Sequence, residues 1–294
     1  MAKAQIGDGS RQSLGRLGSV GVRLVILAGA VGLIAVIATI LSRLLVPPEP
    51  SPWHRLVMLK NLLLPVAELM AYATLVHRLE RRPAEEVAFR GEGLRLLILG
   101  SVIGMVLIAG VMSILWAIGV AELADGSGAG GGMNDVLVPF TTSAIEELLF
   151  RAILFRLLEE VVGTALAGLL SAALFGFAHL GNPGATWMAS VFLAADMGLV
   201  MAAAFAAFRS VWMPIGLHLG WNLMLGFVLG ALNSGVADPN SLWRTRMSGP
   251  VLLTGGTFGP EASVITVAVA MLLTAVLARI AWQRGQWRRL GSRR

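Results

Sequence analysis

Apolar residues in this chain fall in long, nearly unbroken windows rather than in alternating or helical-period patterns. Eight windows stand out: Val20–Leu45, Leu56–His77, Leu94–Val120, Val136–Leu158, Thr164–Leu180, Trp187–Phe208, Trp212–Leu232 and Ser263–Trp282. A helix needs about 20 mainly apolar residues to cross a bilayer. Backbone in lipid must also satisfy its own hydrogen bonds, which a helix does within one segment. The pattern therefore predicts an all-α fold, a polytopic transmembrane helical bundle of about eight spans. The first window is too long for the apolar region of a signal peptide, and no cleavage site follows it.

Charged positions divide the connecting segments into two sets. Lys3, Arg11, Arg16 and Arg23 precede or open the first span. Arg78, Arg81, Arg82, Arg90 and Arg95 lie between spans two and three, and Arg209 lies between six and seven. Arg279, Arg284, Arg288, Arg289, Arg293 and Arg294 close the chain. With eight spans all of these fall on one side. Arg43, Arg55, Lys60, Arg244, Arg246 and the acidic Glu122, Asp125 and Asp135 fall on the other. The positive-inside bias places both termini in the cytoplasm.

Composition agrees with the pattern. Hydrophobic residues are 56% of the 294 and charged residues only 14%, against roughly 25% charged in a soluble domain. A water-soluble enzyme and a disordered chain are both excluded. The net charge of +6 belongs to span ends, so it points to orientation and anionic lipid, with no nucleic-acid partner. There is no cysteine, which removes disulfides, thiolate metal sites and cysteine nucleophiles. The expected location is a bacterial or archaeal cytoplasmic membrane.

The organisation expected is a basic N-terminal segment (1–19), three helices (20–120) and a glycine-rich acidic loop (121–135). A helical core (136–232), an outside loop (233–262) and a last helix with a basic tail (263–294) follow. Pro47–Pro52 predicts a rigid turn, and Gly126–Gly132 has linker composition. Trp187, Trp212, Trp243, Trp282 and Trp287 sit near span ends and predict interface anchors. Gly226 and Gly230 form a GxxxG that predicts close helix packing. The tail from Arg284 onward reads as a topology determinant, or as a lipid contact.

Ionisable residues inside spans cost about 2.5–3.5 kcal/mol each on insertion scales, so they mark sites by default. Span four carries Glu146, Glu147 and Arg151. Glu147 and Arg151 are four apart and can pair on one helical face, which leaves Glu146 free as a general base. The bland alternative pairs both glutamates with Arg151 and Arg156 to hold the bundle. His54 and His77 lie at span ends and read as interfacial. His179 ends span five. His218 and Asn222 share a face of span seven and could donate to one oxyanion. Asp196, in span six, is either a further carboxylate at the cavity or a hydrogen bond to a neighbouring helix.

Two chemistries fit this set. In one, Glu146 and His179 activate water while His218 and Asn222 hold the oxyanion. In the other, zinc sits on Glu146, His179 and His218 with an open position for water. HExxH, GxGD and GxSG signatures are all missing. A proton-coupled transporter, with Glu146, His179, Asp196 and His218 as a relay, is the reading from another class. Straight helices would leave Glu146, His179 and His218 at different depths, apart by on the order of 10 Å at 1.5 Å per residue.

The EExxxR of Glu146, Glu147 and Arg151, the FxxxH of Phe175 and His179, and the HxxxN of His218 and Asn222 resemble the three motifs of the CAAX-protease and bacteriocin-processing (CPBP, or Abi) family. That family includes the type II CAAX prenyl endopeptidases. The resemblance covers about Val136–Leu232. It implies an intramembrane endopeptidase with Glu146 as general base and His179 as its partner on the water. It implies an oxyanion site at His218 and Asn222, and a supporting role for Glu147, Arg151 and Phe175. Family descriptions speak of metalloproteases, although the glutamate mechanism needs no metal, so zinc or no cofactor both stay open. The implied partners are the bilayer and a peptide or protein substrate, in eukaryotic members a lipidated C-terminal tail. A non-catalytic immunity or scaffold member is the remaining alternative within the family.

Overall fold

The computed structural model describes residues 2–45, 54–126 and 132–290. The Pro47–Pro52 turn, most of the Gly126–Gly132 segment and the terminal Arg293 and Arg294 lie outside the described residues. The chain forms α1 (Ala2–Leu45), α2 (His54–Glu80), α3 (Gly91–Ala117) and β1 (Ala121–Asp125), then α4 (Asn134–Glu147), α5 (Arg156–Ala178), α6 (Trp187–Leu193) and α7 (Leu199–Phe208). It continues through α8 (Trp212–Asn222), β2 (Trp243–Met247), α9 (Val251–Thr254) and α10 (Val264–Gln283). Three π-helical stretches, Leu148–Phe155, Ala194–Gly198 and Leu223–Val228, extend α4, α6 and α8 without a break.

The protein is an integral membrane helical bundle. Among the described residues six helices are long and apolar enough to span a bilayer. One of them, Asn134–Gly181, is 48 residues long, and the chain breaks inside it at Gly163 (φ 76°, ψ 170°). It therefore supplies two spans. The continuous Trp212–Val228 helix supplies the eighth apolar segment. Gly163 is required there, because a Cβ would lie 3.0 Å from both the Arg288 carbonyl oxygen and the Leu290 nitrogen. The tail is stitched to that break: Thr164 N–H donates to the Arg288 carbonyl (3.0 Å) and Arg288 N–H to the Thr164 hydroxyl (2.8 Å).

The tightest helix pair is α3 with α8. Gly104 and Gly220 let the two backbones touch: a Cβ would lie 2.2 Å from the Leu217 oxygen in the first case and 2.0 Å from the Ser101 oxygen in the second. Gly100 and Gly216 repeat the arrangement one turn away. Small residues four apart permit such approach in lipid, where packing rather than the hydrophobic effect drives association. The predicted GxxxG of Gly226 and Gly230 is not used this way. A Cβ on Gly226 would meet only the Asn233 side chain, at 3.7 Å, and Gly230 ends the helix at φ 61°.

In α2, Pro65 removes the donor that Asn61 C=O would otherwise accept. Thr141 of α4 donates its hydroxyl to that carbonyl (2.5 Å). Further along the same pair, the Tyr72 hydroxyl oxygen lies 3.0 Å from the Ala152 carbonyl. These two contacts place α2 beside α4, running in the same direction.

The arginine-rich connections gather at one end of the bundle. Arg156 clamps Glu80 with two bonds of 2.8 Å, and Arg23 of α1 reaches Glu160 at 2.6 Å. Arg82 holds Glu86 (2.7 and 2.9 Å), and Arg209 holds Glu159. Burial alone would raise the Glu86 carboxyl. Bonds from Arg82 and Tyr72 and the charge of Arg156 outweigh burial and hold it below its ordinary range. Arg284 and Arg288 of the tail join the cluster through the Ala207 carbonyl and Glu159. Trp212 belongs here too. Its predicted interface role is corrected: it is 4% exposed, and its indole donates to Ala88 (3.1 Å). At the opposite end β1 and β2 form an antiparallel ribbon with Glu122 opposite Arg246, a pairing the apolar windows did not announce.

Candidate active site

Three helices deliver the predicted groups to one place. Glu146 is the penultimate residue of α4, His179 follows the last residue of α5, and His218 lies inside α8. Glu146 Oε2 is 3.9 Å from His179 Nε2 and 3.9 Å from His218 Nε2. That oxygen is buried and makes no hydrogen bond. The depth mismatch of straight helices is closed in two ways. The Gly163 break lets α5 return at its own angle, and π-helical turns begin directly after Glu147 and after Asn222. Such turns are rare and recur at functional sites.

Each imidazole is oriented by its other nitrogen. His179 Nδ1 is 2.8 Å from the Phe175 carbonyl, so it carries the proton that the carbonyl accepts. His218 Nδ1 is 2.9 Å from Glu147 Oε1. These assignments follow from the hydrogen-bond partners. Both Nε2 atoms then face Glu146. Fixing one ring nitrogen sets what the other presents.

Glu147 is therefore more than Arg151's partner. The ion pair predicted from the i, i+4 spacing is present (3.2 Å) and wholly buried, and Glu147 also orients His218. Arg151 is anchored further by the Gly198 carbonyl (3.0 Å). Phe175 fills the space between: the Arg151 guanidinium lies over its ring at 4.7 Å, and His179 and His218 pack against it with centroids at 4.7 and 6.0 Å. The bland pairing of both glutamates with Arg151 and Arg156 is not what forms, since Arg156 turns to Glu80.

Asp196 is fully buried in its π-helical turn. One oxygen accepts from Met197 N–H and the other has no partner, so neither bonds to a neighbouring helix. His77 lies in the last turn of α2, away from this cluster in the chain, and the side chain of His54 lies outside the described residues.

Sequence reasoning missed Glu261. It lies in the turn Pro260–Ala262 just before α10 and is 1% exposed. It accepts from the Trp221 indole (3.0 Å) and from Ser234 through its hydroxyl (2.9 Å) and its backbone N–H. Burial pushes its carboxyl up, against the opposing pull of Ser234 and of His179 and His218. An isolated glutamate in an outside loop carries no spacing signal, so only the fold could place it here.

Zinc on Glu146, His179 and His218 would find suitable atoms at unsuitable distances. The chemistry of the set suits a cation, because two Nε2 atoms and an unpartnered carboxylate oxygen face one another. The spacing does not: among the described residues no three or more His, Cys, Asp or Glu side chains come together closely enough to hold a metal ion.

Residues 131–224 match the model of the family described as type II CAAX prenyl endopeptidase Rce1-like. The chain is also similar to "Putative membrane peptidase YdiL" of Bacillus subtilis (strain 168), at 33% identity over 78 residues, 26% of this chain and 30% of that protein. The chain thus matches about 30% of that relative's length. No solved structure matches. The family match falls on the part of the chain that carries the site helices.

Proposed function

We propose that the protein is an intramembrane endopeptidase that hydrolyses a peptide bond with a water activated by Glu146 and His179, a reading supported by the match of residues 131–224 to the model of the type II CAAX prenyl endopeptidase Rce1-like family. The observation that carries this reading is the meeting of Glu146, His179 and His218, from three separate helices, around an unpartnered carboxylate oxygen.

In this reading Glu146 takes a proton from the water as its oxygen attacks the scissile carbonyl. His179, with Nδ1–H held by Phe175, accepts a hydrogen bond at Nε2 from the second O–H of the water and fixes the direction of attack. The carbonyl oxygen becomes an oxyanion and receives N–H groups from His218 Nε2 and Asn222 Nδ2. His218 must then carry protons on both nitrogens, and Glu147, braced by Arg151, is the counter-charge for that imidazolium. Glu146 finally gives its proton to the leaving amine. A donor aimed at a developing oxyanion in a water-poor site contributes on the order of 10²–10³ in rate.

A peptide or protein is the substrate class, reached from the bilayer. A lipidated C-terminal tail is proposed on the strength of the family description alone. The test is cleavage of a C-terminal peptide library, prenylated and unprenylated, by purified protein in liposomes. Glu146→Ala should abolish cleavage while leaving the protein folded. Undiminished cleavage would remove Glu146 as base, and solute or proton flux without cleavage would favour a transporter.

A further inference from the structure

A cavity of about 990 Å³ opens at the arginine-rich end, between α1, the end of α2, the start of α5 and the end of α7. Small-molecule sites run to about 300–1,000 Å³. The cavity is separate from the catalytic groups. Glu160 on its wall is about 20 Å from Glu146 along the continuous helix, at about 1.5 Å per residue.

Its lining changes character with depth. Arginines and glutamates make the outer layer, five of each. Val22, Ile26, Leu79 and Phe205 make the inner one. The order is the same in three helices: Ile26 follows Arg23 into the bilayer, Leu79 precedes Glu80, and Phe205 lies one turn before Arg209. Val22, Ile26 and Leu79 are exposed, so the apolar layer opens sideways to acyl chains. A charged layer above an apolar one, graded along the bilayer normal, has the polarity profile of a phospholipid.

Most of the charges are neutralised within the wall. Arg156 clamps Glu80, Arg82 holds Glu86, Arg23 holds Glu160 and Arg209 holds Glu159. Two groups are left over, one of each sign. Glu85 is exposed, and among the described residues its carboxylate has no partner. Arg288 approaches Glu159 only through Nε, at 3.6 Å, which leaves its two terminal nitrogens free to donate. A purely anionic headgroup would meet as many carboxylates as guanidiniums here. A group carrying both signs can meet each unpaired partner with its opposite.

We propose that this cavity binds a zwitterionic aminophospholipid, with the phosphate on Arg288, the ammonium on Glu85 and the acyl chains along Val22, Ile26 and Leu79. Both headgroup contacts are charge-assisted, the stronger class of hydrogen bond.

The test uses the purified full chain in detergent micelles, titrated with short-chain phosphatidylethanolamine, phosphatidylglycerol of the same chains, or phosphoethanolamine without chains. A ligand of the folded state raises Tm by mass action, so the shifts give apparent affinities. Phosphatidylethanolamine should bind about tenfold more tightly than phosphatidylglycerol, the effect of one extra charge-assisted contact. Glu85 is exposed and unpartnered, so Glu85→Gln should fold normally and lose that preference while still binding phosphatidylglycerol. Arg288→Gln should weaken both lipids, each shift being read against its own lipid-free Tm. Equal affinity for the two lipids in the unaltered protein, or a preference that survives in Glu85→Gln, would overturn the proposal. A shift from phosphoethanolamine as large as that from the lipid would overturn the lipid assignment in favour of a soluble zwitterion.

Discussion

At the residue scale the site is a set of side chains each held by a partner of its own. Glu147 carries the sharpest prediction. It bonds to His218 Nδ1, and in the proposed mechanism it balances the charge of that ring, so Glu147→Gln should lower kcat by on the order of 10²-fold with KM nearly unchanged, measured on folded protein. An equal loss in Glu147→Gln and in a variant that merely destabilises the bundle would refute that role. The sequence made most of this legible. Glu146, Glu147, Arg151, His179, His218 and Asn222 were readable because polar groups are costly in apolar helices and these fall in three of them. Glu147's bond to His218 was not readable, because i, i+4 spacing reports only contacts along one helix. Glu261 was not readable because it lies in a loop, where polar residues are ordinary.

At the element scale the work is done by close helix contacts and by breaks in helix geometry. Gly220 lies between His218 and Asn222 and lets α8 touch α3. Gly220→Val should push α8 away, lowering Tm by on the order of 5–10 °C, the outcome of overpacking by a few kcal/mol. Gly110→Ala, where a Cβ would meet nothing within 4 Å, should leave Tm unchanged, so the pair is measured side by side by thermal unfolding. Helix windows were legible from hydropathy to within a few residues except at the start of α1, which begins at Ala2 rather than Val20 because its first turns are polar. Their π-helical turns and the Gly163 break were not, because these depend on tertiary partners such as the Arg288 backbone. The β1–β2 ribbon escaped for a related reason: its strands lie far apart in the chain, and neither shows an alternating pattern strong enough to announce the other.

At the scale of the whole molecule the charge distribution separates the two ends of the bundle. The chain has no cysteine, so single cysteines can report sidedness directly. If the basic end faces the cytoplasm, a membrane-impermeant thiol reagent should label Met133→Cys in intact cells and Glu92→Cys only after lysis. The reverse pattern would invert the topology. The basic end also predicts a pH dependence. Glu86 has a folded value below its unfolded 4.5, so the Arg82–Glu86 contact is fully stabilising above about 4.5 and is lost as pH falls through the folded value. Tm should decline across that acid range, and Glu86→Gln should flatten part of the decline. An unchanged profile in Glu86→Gln would show that other carboxylates govern acid unfolding.

These scales meet at one oxygen, Glu146 Oε2, buried and unpartnered between two imidazoles. The most direct test is the single-turnover hydrolysis rate of Glu146→Gln against the unaltered protein, at matched Tm and on a peptide that the latter cleaves. The glutamine keeps the shape and removes the base, so the rate should fall by on the order of 10³-fold. Cleavage at the full rate by Glu146→Gln would contradict the account.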